Sequence, residues 1–287
     1  MKLRTIAAAA FVGLLAAACA NSSDVTAGGG TISHPTGASD LVLRVETGGG
    51  FVNPASTLSE LPQFSLYGDG TSITPGVQTQ IYPGPALSEP IATPLTEEGV
   101  QALLLAAQGA GLFNDASYTD LGSVGIADAP TTTFTVNADG STYTTTVYAL
   151  GELTEKPAGM SEAEFEARTK MQGFVAKLGN LGSWLPQGSV GPDQPYEPQG
   201  LIIYSGNYQK DPTLHEPSID WPLQPGLADF GAAVPNLPDM RCGAASGSDL
   251  TTLMPLVRSA NQLTPWVSAG DRFGLTFRPL LPDQSTC

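Results

Sequence analysis

The chain has 287 residues, including 33 Gly and 24 Pro, with 12 Lys and Arg against 27 Asp and Glu and a formal net charge of −15. That length supports a proper hydrophobic core and one or two domains. The charge weighs against nucleic acid as a partner and against electrostatic docking to anionic lipid or wall polymers.

Lys2 and Arg4 precede an uninterrupted run of small and apolar residues from Ile6 to Ala18. Its 13 residues fall short of the roughly 20 that a membrane-spanning helix needs, and they suit the apolar region of a secretory signal. The run ends in LAAACA, with Cys19 directly after three alanines. This stretch resembles the lipobox of bacterial lipoproteins, with Ala16 standing where that family usually has Leu. The resemblance implies a signal peptide over 1–18, cleavage before Cys19, and acylation at Cys19 with palmitate-type chains. It also implies a protein anchored by lipid in the cell membrane, on the extracytoplasmic side. The alternative is ordinary secretion after Ala16-Ala17-Ala18, with Cys19 incidental. One acyl chain anchors marginally, whereas several together hold a protein on a membrane. Loss of the signal removes two bases and no acid, leaving ten bases against 27 acids, or −17.

Residues 19–40, rich in Ser, Thr, Gly and Ala without hydrophobic period, read as a flexible tether that includes His34. The globular body is then 41–287, with a division into about 41–155 and 156–287 left open. LVLRVE (Leu41 to Glu46) alternates Leu41, Leu43 and Val45 against Arg44 and Glu46, a half-buried strand. FSLYGDGTSIT (Phe64 to Thr74) and FTVNADGSTYT (Phe134 to Thr144) align without gaps on Asp69-Gly70 and Asp139-Gly140. Asp-Gly between alternating β-formers predicts a hairpin at each, because Gly accepts positive φ and Asp tolerates it.

Between them, Thr96 caps a predicted helix with Glu97 and Glu98 in its first turn and an apolar stripe of Val100, Leu103, Leu104 and Ala107. Gly109 and Gly111 end it. A second helix opens on the capping box Ser161/Glu164 and closes at Gly179, with Phe165, Met171, Phe174, Val175 and Leu178 facing the core. Proline-rich loops follow, from LPQGSVGPDQPYEPQG to HEPSIDWPLQPG. GLIIYSG (Gly200 to Gly206) reads as a buried strand. In DLTTLMPLVRSANQL, Thr251 caps a third helix with Pro255 in its first turn. DRFGLTFRPL alternates Phe273, Leu275 and Phe277 as a last strand. The mixture lacks βαβ spacing, so the fold class is α+β, mainly antiparallel sheet with two Asp-Gly hairpins and about three helices.

Chemistry is sparse. With Cys19 assigned to lipid, Cys242 and Cys287 form an even pair in an exported chain and predict a disulfide, closing about 46 residues at ~4 kcal/mol. His215 sits beside Asp211, Glu216 and Asp220, a candidate base or ligand but more simply an exposed loop histidine. The sequence has no Gly-x-Ser-x-Gly, no phosphate loop, no zinc spacing, and no twelfth-position Glu after either Asp-Gly loop. No metal and no cofactor are expected. Trp184, Trp221 and Trp266, each near a proline, are candidates for a glycan- or peptide-binding surface, with core packing the plainer alternative.

LVLRVETGGGF, the first hairpin and TPWVSAGDRFGLTFRPLLPD resemble segments of actinobacterial lipoproteins of no known activity. The expectation is a lipid-anchored, non-enzymatic envelope protein that binds a ligand or an envelope protein or glycan. The alternatives are a hydrolase working through Asp and Glu carboxylates, or a surface inhibitor protein.

Overall fold

The computed structural model describes residues 31–52, 57–78 and 81–287. The expected signal, Cys19 and tether residues up to 30 lie outside the described residues. From Ile32 to Cys287 the chain forms one unit of α+β architecture, with two mainly antiparallel sheets and three α-helices among the described residues.

The first sheet has eight strands. Its centre is β1 (Leu41–Gly48), flanked by β2 (Phe64–Tyr67) and β6 (Thr131–Ala138). Outward from β2 run β3 (Thr71–Thr74), β4 (Ile91–Pro94) and the short edge strand β8 (Gln194–Pro195). Outward from β6 run β7 (Ser141–Tyr148) and β5 (Ala116–Tyr118), which pairs parallel with β7. Helices α1 (Glu97–Gly109) and α2 (Glu162–Leu178) cover one face. Leu43, Val45, Phe64, Leu66, Phe134 and Val136 meet Leu103, Leu104, Met171 and Phe174 there in one buried core. Burial of each such side chain is worth about 1.5–3 kcal/mol.

Both helix starts follow the sequence pattern. The Thr96 hydroxyl accepts from the Gly99 N–H, and Ser161 accepts from Glu164 N–H at 3.1 Å. One polar residue breaks the expected stripe of α2. Arg168 is buried and donates to the carbonyls of Tyr148, Tyr118 and Asp120, each at 2.9 Å. It ties the ends of β5 and β7 to the helix.

The second sheet is ordered β10-β13-β14-β9-β12-β11, from β9 (Gly200–Asn207), β10 (Ile219–Asp220), β11 (Ala232–Val234), β12 (Leu237–Ser246), β13 (Trp266–Ser268) and β14 (Asp271–Pro279). Leu201, Ile203, Leu275 and Phe277 form its core face, under Leu253 and Val257 of α3 (Gly247–Ser259). The sequence puts the start of α3 too late. Gly247, at φ +57, opens the helix, and Thr251 lies inside it, donating its hydroxyl back to the Gly247 carbonyl. Pro255 is therefore internal rather than in the first turn. Packing of Leu253 and Val257 outweighs the lost N–H.

The two Asp-Gly turns are different solutions. At Asp139-Gly140 both residues have positive φ (51° and 73°), the two-residue hairpin that Asp-Gly favours. At Gly68-Asp69-Gly70 only Gly70 is left-handed (φ 84°), and the Asp69 carboxylate caps the Thr71 N–H at 2.9 Å. Gly70 is needed for space as well, since a Cβ there would collide with the Leu95 carbonyl, whose own N–H donates to Gly70.

The expected tether needs correction from Ile32 onward. Ile32 is buried and bonds Gln101 of α1, and Ser33 exchanges hydrogen bonds with Asp139 at the second turn. His34, expected to be free, packs with its side chain 4 % exposed against Glu97. A Cβ at Gly68 would lie 2.5 Å from the Pro35 carbonyl oxygen, so this segment lies directly on the first turn. Helix α2 shares the first sheet's core, and the second sheet starts only at Gly200.

Candidate functional site: a groove walled by the C-terminal strap

β14 ends at Pro279, the Leu280 N–H still donates to the Gly200 carbonyl at 2.9 Å, and the residues beyond run across the faces of the two sheets. Leu280 packs with Ile202 and Cys242 of the second sheet, while Leu281 packs with Tyr67 and Ile73 of the first. Tyr196 donates its hydroxyl to the Leu280 carbonyl at 2.8 Å. Two locks hold this strap. Cys287 is bonded to Cys242, Cα atoms 6.1 Å apart, as the cysteine arithmetic predicted. Asp283 takes two bonds from the Arg44 guanidinium, at 2.8 and 3.0 Å, and one from the Tyr67 hydroxyl at 2.9 Å.

Electrostatics keeps this second lock in one protonation state near neutrality. Desolvation pushes the Asp283 carboxyl up, but the hydrogen bonds and charge of Arg44, aided by Tyr67, outweigh it and hold the pKa below the ordinary range. Burial works against the Arg44 cation too, and Asp283 more than reverses that, so Arg44 lies above its usual value. Burial, opposed by Arg44, drives the Tyr67 hydroxyl far up, and burial with the Asp283 charge pushes Tyr196 up to about 12. A locked ion pair with two protonated phenols holds a structure in place; it has no group poised to exchange a proton at neutral pH.

Beside the disulfide lies a groove of about 730 Å³. Its floor is Cys242, Gly243 and Ala244 of β12 with Tyr204 of β9. Edge strand β11 and its flanks, Gly231 to Pro235, make one wall, and Thr286 with Cys287 of the strap make the other. Leu58, from the β1–β2 connection, also lines it. The wall is shaped by backbone chemistry. Gly231 has φ +66, and a Cβ there would run into the Cys242 carbonyl; Asn236, at φ +64, turns β11 into β12. The Arg241 guanidinium then fixes the carbonyls of Phe230 (3.1 Å) and Gly231 (2.6 Å). The resulting lining is mostly small and apolar, with Tyr204 and Thr286 as its hydroxyl-bearing residues. Cavities of this size and character suit one mostly apolar small molecule.

The sequence candidates do not converge on this groove. Trp221 and Trp266 are buried in the second core, stacked edge to face with centroids 6.2 Å apart and continued by Phe230 and Phe277. Trp184 belongs to the other core, half-buried, with its indole N–H on the Lys177 carbonyl and Lys177 over its ring. Of the two readings of the tryptophans, core packing is the one the structure gives. His215 is exposed, and its acidic neighbours are engaged elsewhere: Asp211 with Thr213, Glu216 with Asn261 at 2.6 Å. Among the described residues no group of three or more His, Cys, Asp or Glu is placed to hold a metal ion, and no helix is long and apolar enough to cross a membrane.

Sequence reasoning missed β12, the longest strand, and with it the groove floor. LPDMRCGAAS carries no β-branched residue and has a proline, so no propensity signal marks it. Arg44 and Asp283 are 239 residues apart and leave no local signature. No family model matches the chain, and neither a curated protein nor a solved structure matches it.

Proposed function

We propose that this protein is exported, anchored to the cell membrane through acylated Cys19, and acts on the extracytoplasmic side as a binding protein rather than an enzyme. The groove beside β11 takes an apolar small molecule or lipid-like chain. The observation that carries this reading is the groove itself: about 730 Å³ lined by Ala, Gly, Val, Leu and Pro, with Tyr204 and Thr286 as orienting hydroxyls. A lining of that kind offers contact area and orientation but no nucleophile or base to drive hydrolysis.

Two experiments test the two halves of the proposal. Replacing Cys19→Ala should move the protein from the membrane fraction to the soluble fraction and abolish incorporation of labelled palmitate; unchanged partition would overturn the anchor. For the groove, an environment-sensitive apolar fluorophore such as 1-N-phenylnaphthylamine should bind the mature protein saturably. Ala244 is exposed on the groove floor, so Ala244→Phe should fill the site, keep the melting temperature, and reduce fluorophore affinity about tenfold. Unaltered affinity in that variant would refute the assignment.

A further inference from the structure

The strap is held by two kinds of chemistry in two places. From Leu280 to Asp283 packing and charge hold it: Leu280 and Leu281 are buried, and Asp283 takes the bonds of Arg44 and Tyr67. Gln284 closes a turn on Leu281, donating its N–H to the Leu281 carbonyl at 2.9 Å and accepting from the Leu281 N–H at 3.3 Å. Beyond Gln284 that support ends. Ser285, Thr286 and Cys287 are exposed, and among the described residues none of the three takes part in a hydrogen bond or an ion pair. The bond from Cys287 to Cys242 is what fixes them.

Thr286 and Cys287 are also one wall of the groove, and Cys242 is part of its floor. The disulfide therefore joins wall to floor. We infer that it is a redox gate on the groove: a dithiol reductant opens the wall and releases the occupant, while the rest of the strap stays in place. The inference rests on the proposed export and on the groove as a binding site. In an oxidising compartment the bond is formed and the wall is closed, so binding is the resting state and reduction is the signal.

The exchange runs from outside. Cys287 is exposed and Cys242 is only 6 % exposed, so an incoming thiolate reaches the Cys287 sulfur first. Its attack breaks the Cys242–Cys287 bond, forms a mixed disulfide with Cys287, and releases Cys242 as a thiolate that takes up a proton. The second thiol of the reductant attacks the reductant's own sulfur in that mixed disulfide and displaces Cys287, which is protonated in turn. The protein gains two electrons and two protons, and the reductant leaves as a disulfide. The Arg44–Asp283 pair has no reducible atom and survives. A tenfold loss of affinity needs only about 55 Å² of lost apolar contact.

The test uses the mature protein, oxidised and after reduction with dithiothreitol, with 1-N-phenylnaphthylamine as the probe. Oxidised protein should bind it saturably. Reduced protein should bind about tenfold more weakly with unchanged far-ultraviolet circular dichroism, and reoxidation should restore the affinity. Cys242→Ala/Cys287→Ala should bind as the reduced wild type does and should not respond to dithiothreitol. A second readout needs no ligand: after reduction, iodoacetamide should label Cys242 nearly as fast as Cys287, because the opened wall uncovers it. Affinity within twofold after reduction, or a Cys242 that stays protected while Cys287 is labelled, would overturn the gate and leave the binding site standing. Loss of the circular dichroism signal on reduction would overturn the gate too, since the bond would then hold the fold rather than the wall. Failure of the oxidised protein to bind saturably would instead overturn the binding site, and the gate with it.

Discussion

Asp283→Asn isolates the charge of the strap lock. The substitution keeps the side chain's shape but turns one acceptor oxygen into an NH2 donor, and it leaves the Arg44 guanidinium, with its side chain 12 % exposed, without a counter-charge. Hydrogen bonds to charged groups are worth about 1.5–3 kcal/mol, and Asp283 itself is 22 % exposed, which puts the net loss at about 2 kcal/mol. For a folded unit of this size that lowers the melting temperature by about 4–8 °C. The pH dependence has a fixed sign. Folding lowers the Asp283 pKa, so its contribution is fully present above the unfolded-state value near about 4 and is lost as pH falls through the folded value. Urea denaturation of both proteins should therefore show a gap at pH 7 that narrows below about pH 4. Arg44→Met/Asp283→Asn should recover most of the loss, because removing both charges leaves neither uncompensated. A single variant within about 0.5 kcal/mol of wild type at pH 7, or simple additivity of the two substitutions, would refute the reasoning.

Three further outcomes follow from the same geometry. Cys287→Ser should cost up to about 4 kcal/mol in urea denaturation, yet carboxypeptidase digestion should stall near Asp283, which Arg44 still holds. Gly140→Ala, with open space around the new Cβ, should cost about 1 kcal/mol by thermal denaturation, and Gly70→Ala roughly twice that or more because of the Leu95 carbonyl. Trp266→Ala should cost about 3–5 kcal/mol as a core truncation and leave fluorophore affinity intact in the fraction that stays folded, the opposite of what a tryptophan-lined binding surface would give.

Local physics was legible wherever a short stretch decided its own conformation. Thr96 and Ser161 cap their helices because each side chain bonds an N–H three residues on, and such spacing is visible in the sequence. Alternation marked β1 and β14, and the two Asp-Gly dipeptides marked both hairpins, although the same dipeptide closes two different loops. That difference comes from Leu95 and Ser33, partners brought in by the fold. Even the cysteine pairing was readable from two cysteines left over once Cys19 is set aside.

What no local reading could supply depends on residues distant in sequence. Ile32, Ser33 and His34 sit in a stretch with the composition of a tether, and they are held because α1 and the Asp139 turn offer partners 63 to 106 residues away. The groove needs β12, a strand without strand propensity that forms because β9 and β11 satisfy its backbone on both sides. The tryptophans could have been surface or core, and only packing against Phe230 and Phe277 decides for core. The sequence by itself determined the caps of α1 and α2, the alternating strands, the disulfide and the acidic character. Only the tertiary structure decided which faces are covered, because coverage is set by the crossing of the C-terminal strap between two sheets rather than by any residue's own preference.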